Sequence, residues 1–406
     1  MGRARPVFEN VIAQHRVVNE ISRLVVARRV PGSILFEGPA YAGKLTTALE
    51  LARVLTCREE IAAWTCQCQS CVQHRSLAHV STKLLGPGNF VDEIGAASDV
   101  LRHASKKAAT FFYVRAVRKL IRRFDPELWD PSDRRYKSAS TKIDVVNDSL
   151  DKIIAGEVGS ANLKAILESS KFIASRLPQD TIPVEEIRRL AAWVHTTSNE
   201  RAKIAIVNGA ERMSDGATNA LLKLLEEPPR GSFFILIATQ KESLVPTIRS
   251  RLRPFRFKER NAVETREVLR RVFHEESDEY GSIREYFLAW HLAPEIVRNQ
   301  GKNFLDAVAT GSPERFFSAG EDLSLIIENR DLFRAFLEQV LRLAGRPISN
   351  PAHHGETDAA PSKDVDSVNR TAKWSRMVHD AYDRVSRYNV NMKTSLEALY
   401  YSMRAD

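Results

Sequence analysis

Residues Lys203 to Ala238 constrain this chain most. Ile204-Ala-Ile-Val207 is a short apolar run, mostly β-branched, and Ser232 to Ala238 is another. Neither alternates with polar residues, so each predicts a strand buried on both faces, as in a parallel sheet covered by helices. Between them, Ala217, Ala220, Leu221, Leu224 and Leu225 fall on one face of a helix over Asp215–Glu227, and Pro228-Pro229 stops it. Earlier in the chain Ile34-Leu-Phe36 predicts a strand, 45–55 a helix, and Val80–Leu84 a further strand. This alternation requires an α/β domain with a parallel sheet.

The first strand runs into Gly38-Pro-Ala-Tyr-Ala-Gly43-Lys44. Two glycines let backbone N–H groups approach phosphate oxygens, and a lysine after the second supplies charge to them. Gly38, Gly43 and Lys44 are therefore candidates for a nucleotide site. The hydroxyl expected next, as a Mg²⁺ ligand, is replaced by Leu45, and Thr46 comes one residue late. The strand at 204–207 should end in an Asp that holds Mg²⁺ and a Glu that orients water; it ends in Asn208 and Gly209. The residues predict a scaffold without its catalysis, for which even ATP binding is doubtful.

Asn219-Ala-Leu-Leu-Lys-Leu-Leu-Glu-Glu-Pro-Pro229, Ala238-Thr239 and Thr247-Ile-Arg-Ser-Arg251 resemble the clamp-loader ATPase family of bacterial DNA polymerase III, its delta-prime branch in particular. The resemblance covers roughly residues 7–92 and 180–300 and is weak or absent over about 93–178 and beyond 310. It implies an AAA+ P-loop domain over 1–258, a small helical lid over 259–310 and a C-terminal helical collar over 311–406. It also implies a structural and regulatory subunit, one of a hetero-pentamer that loads a sliding clamp on primer–template DNA. Arg251 matches the family's arginine finger, a guanidinium offered in trans to a neighbour's ATP, and Thr239 its first sensor. Arg298 reads better as a surface residue than as the second sensor. The rival readings are an active gamma-type ATPase, against which Leu45, Asn208 and Gly209 speak, and a DNA-binding zinc protein outside the replisome.

All four cysteines, Cys57, Cys66, Cys68 and Cys71, fall within fifteen residues. Such clustering in a cytoplasmic protein reads as metal ligation rather than as disulfides. It resembles the family's zinc module, a closed four-thiolate site. Only Gln67 separates Cys66 from Cys68, where the family has two residues, so His74 or His79 is an alternative ligand.

Net charge is +9, and residues 102–142 alone carry twelve Lys/Arg against four Asp/Glu. Arg115, Arg118, Lys119 and Arg122 share one face of a helix, with Arg123 beside them. Such a stripe is either a nucleic-acid contact or a solvated face. It lies in a stretch, about 93–178, that predicts helices and no strand, an insertion into the sheet domain. Residues 347–363 have loop composition. No run of eighteen apolar residues predicts a membrane span, and MGRARPVFEN lacks the apolar core of a secretory signal, so the expected compartment is the cytoplasm.

Overall fold

The computed structural model describes residues 8–405, except 61, 104–106, 179–180, 198–199, 240–243, 278–279, 319, 345–364 and 389. The expected loop at 347–363 lies outside the described residues. Two compact units divide the chain between Arg284 and Glu285.

The first unit is built on five parallel strands in the order β2-β3-β4-β1-β5. They are β1 (Ser33–Glu37), β2 (Thr82–Leu85), β3 (Lys203–Asn208), β4 (Ser232–Ala238) and β5 (Arg253–Arg256). In register, Ile34 faces Ile235 across β1–β4, and Ile206 faces Ile235 across β3–β4. Successive side chains on a strand point to opposite faces. Ile34, Phe36, Leu84, Ile204, Ile206, Ile235 and Ile237 thus enter one core, with α1 (His15–Val26) and α2 (Lys44–Thr56). Leu35, Leu85, Ala205, Val207, Phe234, Leu236 and Ala238 enter another.

That second core is where the inserted segment sits. Helix α3 (Gln69–Arg75) precedes β2, and between β2 and β3 the chain inserts α4 (Phe90–His103), α5 (Lys107–Ile121), α6 (Arg134–Ile154) and α7 (Ser160–Ala174). Tyr113, Val117 and Leu120 of α5 and Val146 and Leu150 of α6 join the sheet residues in one continuous core with α8 (Val184–His195) and α9 (Asp215–Glu226). The insertion is part of the domain's packing, not an appendage.

Local signals set the ends of these helices. The Ser214 hydroxyl accepts from the Ala217 N–H and starts α9. A short α10 (Pro246–Arg249) leads into β5. Asn261 and Glu264 form a reciprocal capping box that opens α11 (Ala262–Val268). Beyond it Phe273 packs edge-on against Phe112 of α5, with ring centres 5.6 Å apart, so the segment after residue 259 begins within the first unit.

The second unit is helical: α12 (Ile283–Leu288) runs into it, followed by α13 (Pro294–Thr310), α14 (Pro313–Phe317), α15 (Gly320–Glu328), α16 (Arg330–Ala344), α17 (Val365–Tyr388) and α18 (Met392–Arg404). Phe304, Phe316, Phe333 and Phe336 centre its core. Arg298 is exposed on α13. Among the described residues no helix is long and apolar enough to cross a membrane.

Candidate functional site

The phosphate loop joins β1 to α2, and its polar groups are engaged within the chain. Lys44 is buried, and its ammonium donates to the carbonyls of Gly38 at 2.6 Å and Pro39 at 2.5 Å. Burial lowers its pKa to about 8; the charge of Glu211 opposes the shift and that of Arg260 adds to it. Arg260 lies across the loop, donating to the carbonyls of Tyr41 and Ile12. Gly43, at φ +91°, passes so close that a Cβ there would meet the guanidinium at 2.8 Å. Thr46 is half-buried in the first turn of α2, while the neighbouring Thr47 hydroxyl bonds back to the Gly43 carbonyl. Leu45 packs against the core.

The end of β3 is closed in the same way. The Asn208 amide donates to the Pro87 carbonyl at 2.7 Å, tying the segment after β2 to β3. A carboxylate has no proton to give that carbonyl. Gly209 adopts φ +67°, a conformation costly for other residues. The Thr239 hydroxyl donates to Glu211, as does its N–H at 3.0 Å. Glu211 and Arg260 carry no sequence signal of their own; Arg260 reaches the loop across more than two hundred residues.

Arg251 stands elsewhere on the unit, after α10. One of its nitrogens donates to the Thr247 carbonyl at 2.8 Å and to the Ser250 hydroxyl at 3.3 Å. Another pairs with Glu226 at 2.5 Å, and both partners remain substantially exposed. Glu226 belongs to the Leu-Leu-Glu-Glu-Pro-Pro run that ends α9, so the run and the arginine are joined in space.

At the far end of α2 the four thiols converge. All four sulfurs lie within 4.8 Å of one another; Cys57 is 3.8 Å from Cys66 and 3.9 Å from Cys68. A tetrahedral site with metal–sulfur bonds of about 2.3 Å requires sulfurs about 3.8 Å apart. The shortened Cys66–Cys68 spacing is thus accommodated, and the cluster could bind a metal. His74 instead bonds to the Thr56 hydroxyl at 2.7 Å and stacks on His79. Burial lowers the His74 pKa to about 2, so it is neutral. Around the thiols, Arg53 donates to Cys71 at 3.1 Å and to the Ala62 and Ala63 carbonyls, while pairing with buried Glu50. Arg201 donates to the Cys57 carbonyl, and Arg75 to those of Trp64 and Cys66. Burial opposes ionisation of Cys68, yet hydrogen bonds from the backbone and neighbouring thiols outweigh it and bring its pKa to about 6.

The basic stripe of α5 faces inward. Arg115 donates to the carbonyls of His74 and Arg75, Arg118 to that of Ser76, and Arg122 to those of His79 and Thr82. Lys119 pairs with Glu93, and Arg123 is buried. These donors complete the C-terminal end of α3 and the lead into β2, where carbonyls lack helical partners. Helical spacing shows that the residues share a face; it carries no information about what that face meets.

The fold and these sites together define a P-loop α/β domain with a four-thiol module and an exposed arginine after its fourth strand. The family described as DNA polymerase III, delta subunit, matches residues 13–125 and 150–261, more than half of the chain, and the chain belongs to it. The match runs through α4, α5 and α7, so the resemblance reaches further into 93–178 than the motifs alone show; residues 126–149 fall outside it. The delta' subunit of Haemophilus influenzae is 36% identical over 102 residues, 22% of this chain and 31% of that protein. That of Yersinia pestis is 40% identical over 74 residues, 18% and 22%. The gamma/tau subunit of Mycobacterium tuberculosis is 26% identical over 270 residues, 66% and 32%. The matches therefore span a third or less of these relatives' lengths. A gamma subunit-related protein from Thermotoga maritima superimposes with a TM-score of 0.31 at 19% identity, over 60% of this chain and 89% of that one.

Proposed function

We propose that the chain is a delta-prime-like clamp-loader subunit that does not hydrolyse ATP itself and acts on a neighbour through Arg251. In this reading it joins related subunits in a hetero-pentamer in the cytoplasm and helps place a sliding clamp on primer–template DNA. Residues 259–310 act as its lid and 311–406 as its collar.

The observation that carries the reading is a contrast in how polar groups are used. Lys44, Asn208 and Thr239, where ATP and Mg²⁺ would be held, are bonded to Gly38 and Pro39, to Pro87 and to Glu211. Arg251 is held by an exposed carboxylate that a phosphate could displace. A guanidinium offered to a phosphate in trans stabilises charge that develops in the transition state. The same contrast disfavours an active gamma-type ATPase. The inward stripe of α5 removes the main support for a DNA-binding role outside the replisome, so the proposal makes no use of that stripe.

The four cysteines are proposed to hold one Zn²⁺. It would supply structural closure, with no open position for a substrate. Arg53 and Arg201 would orient the thiol-bearing turns around it.

Equilibrium binding of a fluorescent ATP analogue to the isolated chain, beside ATPase assays of the chain reconstituted with clamp-loader subunits, tests the proposal. Expected are no saturable binding alone and full turnover only in the assembly. Turnover by the isolated chain, or a complete assembly whose turnover is the same without it, overturns the proposal.

A further inference from the structure

Arg123 follows α5 in a short 3₁₀ turn, Arg122–Phe124, and is 5% exposed. Among the described residues its Nε, Nη1 and Nη2 atoms have no hydrogen-bond partner, and the guanidinium lies 5.3 Å over the ring of Phe90. It lines a cavity beside the end of β2, walled by Leu84, Leu128, Trp129 and Leu177, with Glu186 of α8 as the other charged group among the described lining residues. The cavity leaves about 10 Å³ for the centre of a water-sized sphere, room for a single small species.

We propose that this cavity binds one small monovalent anion of halide size, held by the Arg123 guanidinium and the Glu186 carboxyl. A guanidinium presents five N–H donors, and burying them unpaired is costly. While Glu186 is protonated, a water molecule would satisfy donors and leave the charge uncompensated; an anion does both. Other cations of the region already have carboxylates: Lys83 has Asp125 and Glu127, Arg122 has Asp125, Arg135 has Asp133, and Arg189 has Asp130. Arg123 makes no ion pair within 4 Å among the described residues. The enclosed space is too small for a nucleotide.

Glu186 makes the site proton-linked. Burial raises its pKa to about 7, against the lowering effect of Arg123 and Arg135. Protonated, it donates a hydrogen bond to the anion; ionised, it repels the anion and supplies the negative charge itself. Anion affinity therefore falls as pH rises through about 7.

The full chain in gluconate buffer, titrated with chloride at constant ionic strength, provides the test. Thermal unfolding and ³⁵Cl NMR line width are the two readouts. Expected are a saturable rise in unfolding temperature and line broadening at pH 6, with affinity about tenfold weaker at pH 8. Arg123→Gln should abolish both responses. Glu186→Gln should keep binding and make it independent of pH, which tests the site even if Arg123→Gln does not fold. Superimposable chloride and gluconate curves would show a water-only cavity and overturn the proposal. So would a pH dependence that survives in Glu186→Gln.

Discussion

Helix α2 has a candidate ligand site at each end, and the two are built differently. At its start, Lys44 is bound by carbonyls of its own loop, and Arg260 lies over Gly43. At its finish, Cys57 meets three other thiols, and the four sulfurs lie within 4.8 Å of one another. The difference is one of donor chemistry. An ammonium, an amide and a hydroxyl find good partners in neighbouring carbonyls and carboxylates, so a phosphate site without its ligand can close on itself. A thiol is a weak donor and a weak acceptor, and four thiols cannot satisfy one another as a metal does. On the proposed reading, a polar site that has lost its ligand is absorbed into the fold, whereas a thiol cluster stays shaped for a metal.

The largest expected effect tests the first half of that contrast from outside the chain. Arg251→Ala in a reconstituted assembly should lower ATP turnover by tenfold or more, since trans arginine fingers contribute about 10³–10⁵. Folding and assembly should be unchanged, because its Glu226 pair is exposed and such pairs contribute about 0–1 kcal/mol. Arg251→Lys should restore little, because a point charge lacks the planar fork. Wild-type turnover from the alanine variant would remove Arg251 from the mechanism.

Next comes the thiol cluster. Protein purified without added metal should contain about one zinc per chain by elemental analysis. Cys68→Ser should release it and lower the unfolding temperature, because binding free energy at such sites is folding free energy. Four freely titratable thiols and no metal would break the comparison at its other end.

A smaller effect is expected from restoring carboxylates. Asn208→Asp with Gly209→Glu should give no ATPase and should destabilise the chain by about 1–3 kcal/mol. The new carboxylate would face the Pro87 carbonyl, and the glutamate would take a positive φ. Denaturant unfolding and steady-state turnover read both outcomes. Turnover well above background would show that the site is dormant rather than absorbed.

The smallest effect sharpens the comparison. Arg260→Ala should uncover the Gly43 turn and bring weak ATP binding into the range calorimetry detects, still without hydrolysis. An unchanged, undetectable affinity would assign the closure to Lys44 and its carbonyls alone.

How far the sequence carried this depended on the range of the physics involved. β3, β4 and α9 were legible because burial on both faces and helical spacing are written locally. So was the cysteine cluster, where fifteen residues hold every thiol. β5 was not: in Arg253-Pro-Phe-Arg256 only Phe255 is buried, and Pro254 fits because β5 is an edge strand. The stripe of α5 was visible as a face but not as a face turned inward. Arg260 over the phosphate loop and Glu211 under Thr239 depend on contacts that no local pattern records.

The insertion between β2 and β3 also sets a timetable. Strand β2 pairs with β3, which follows almost 120 residues later. On a ribosome adding about 5–20 residues per second, β2 waits roughly 6–24 s for its neighbour. An unpaired strand invites other chains during such an interval. Helix α5 emerges well before β3, and Arg115, Arg118 and Arg122 bind the segment that leads into β2. The nascent chain thus carries its own clasp for a strand whose partner has not yet been made.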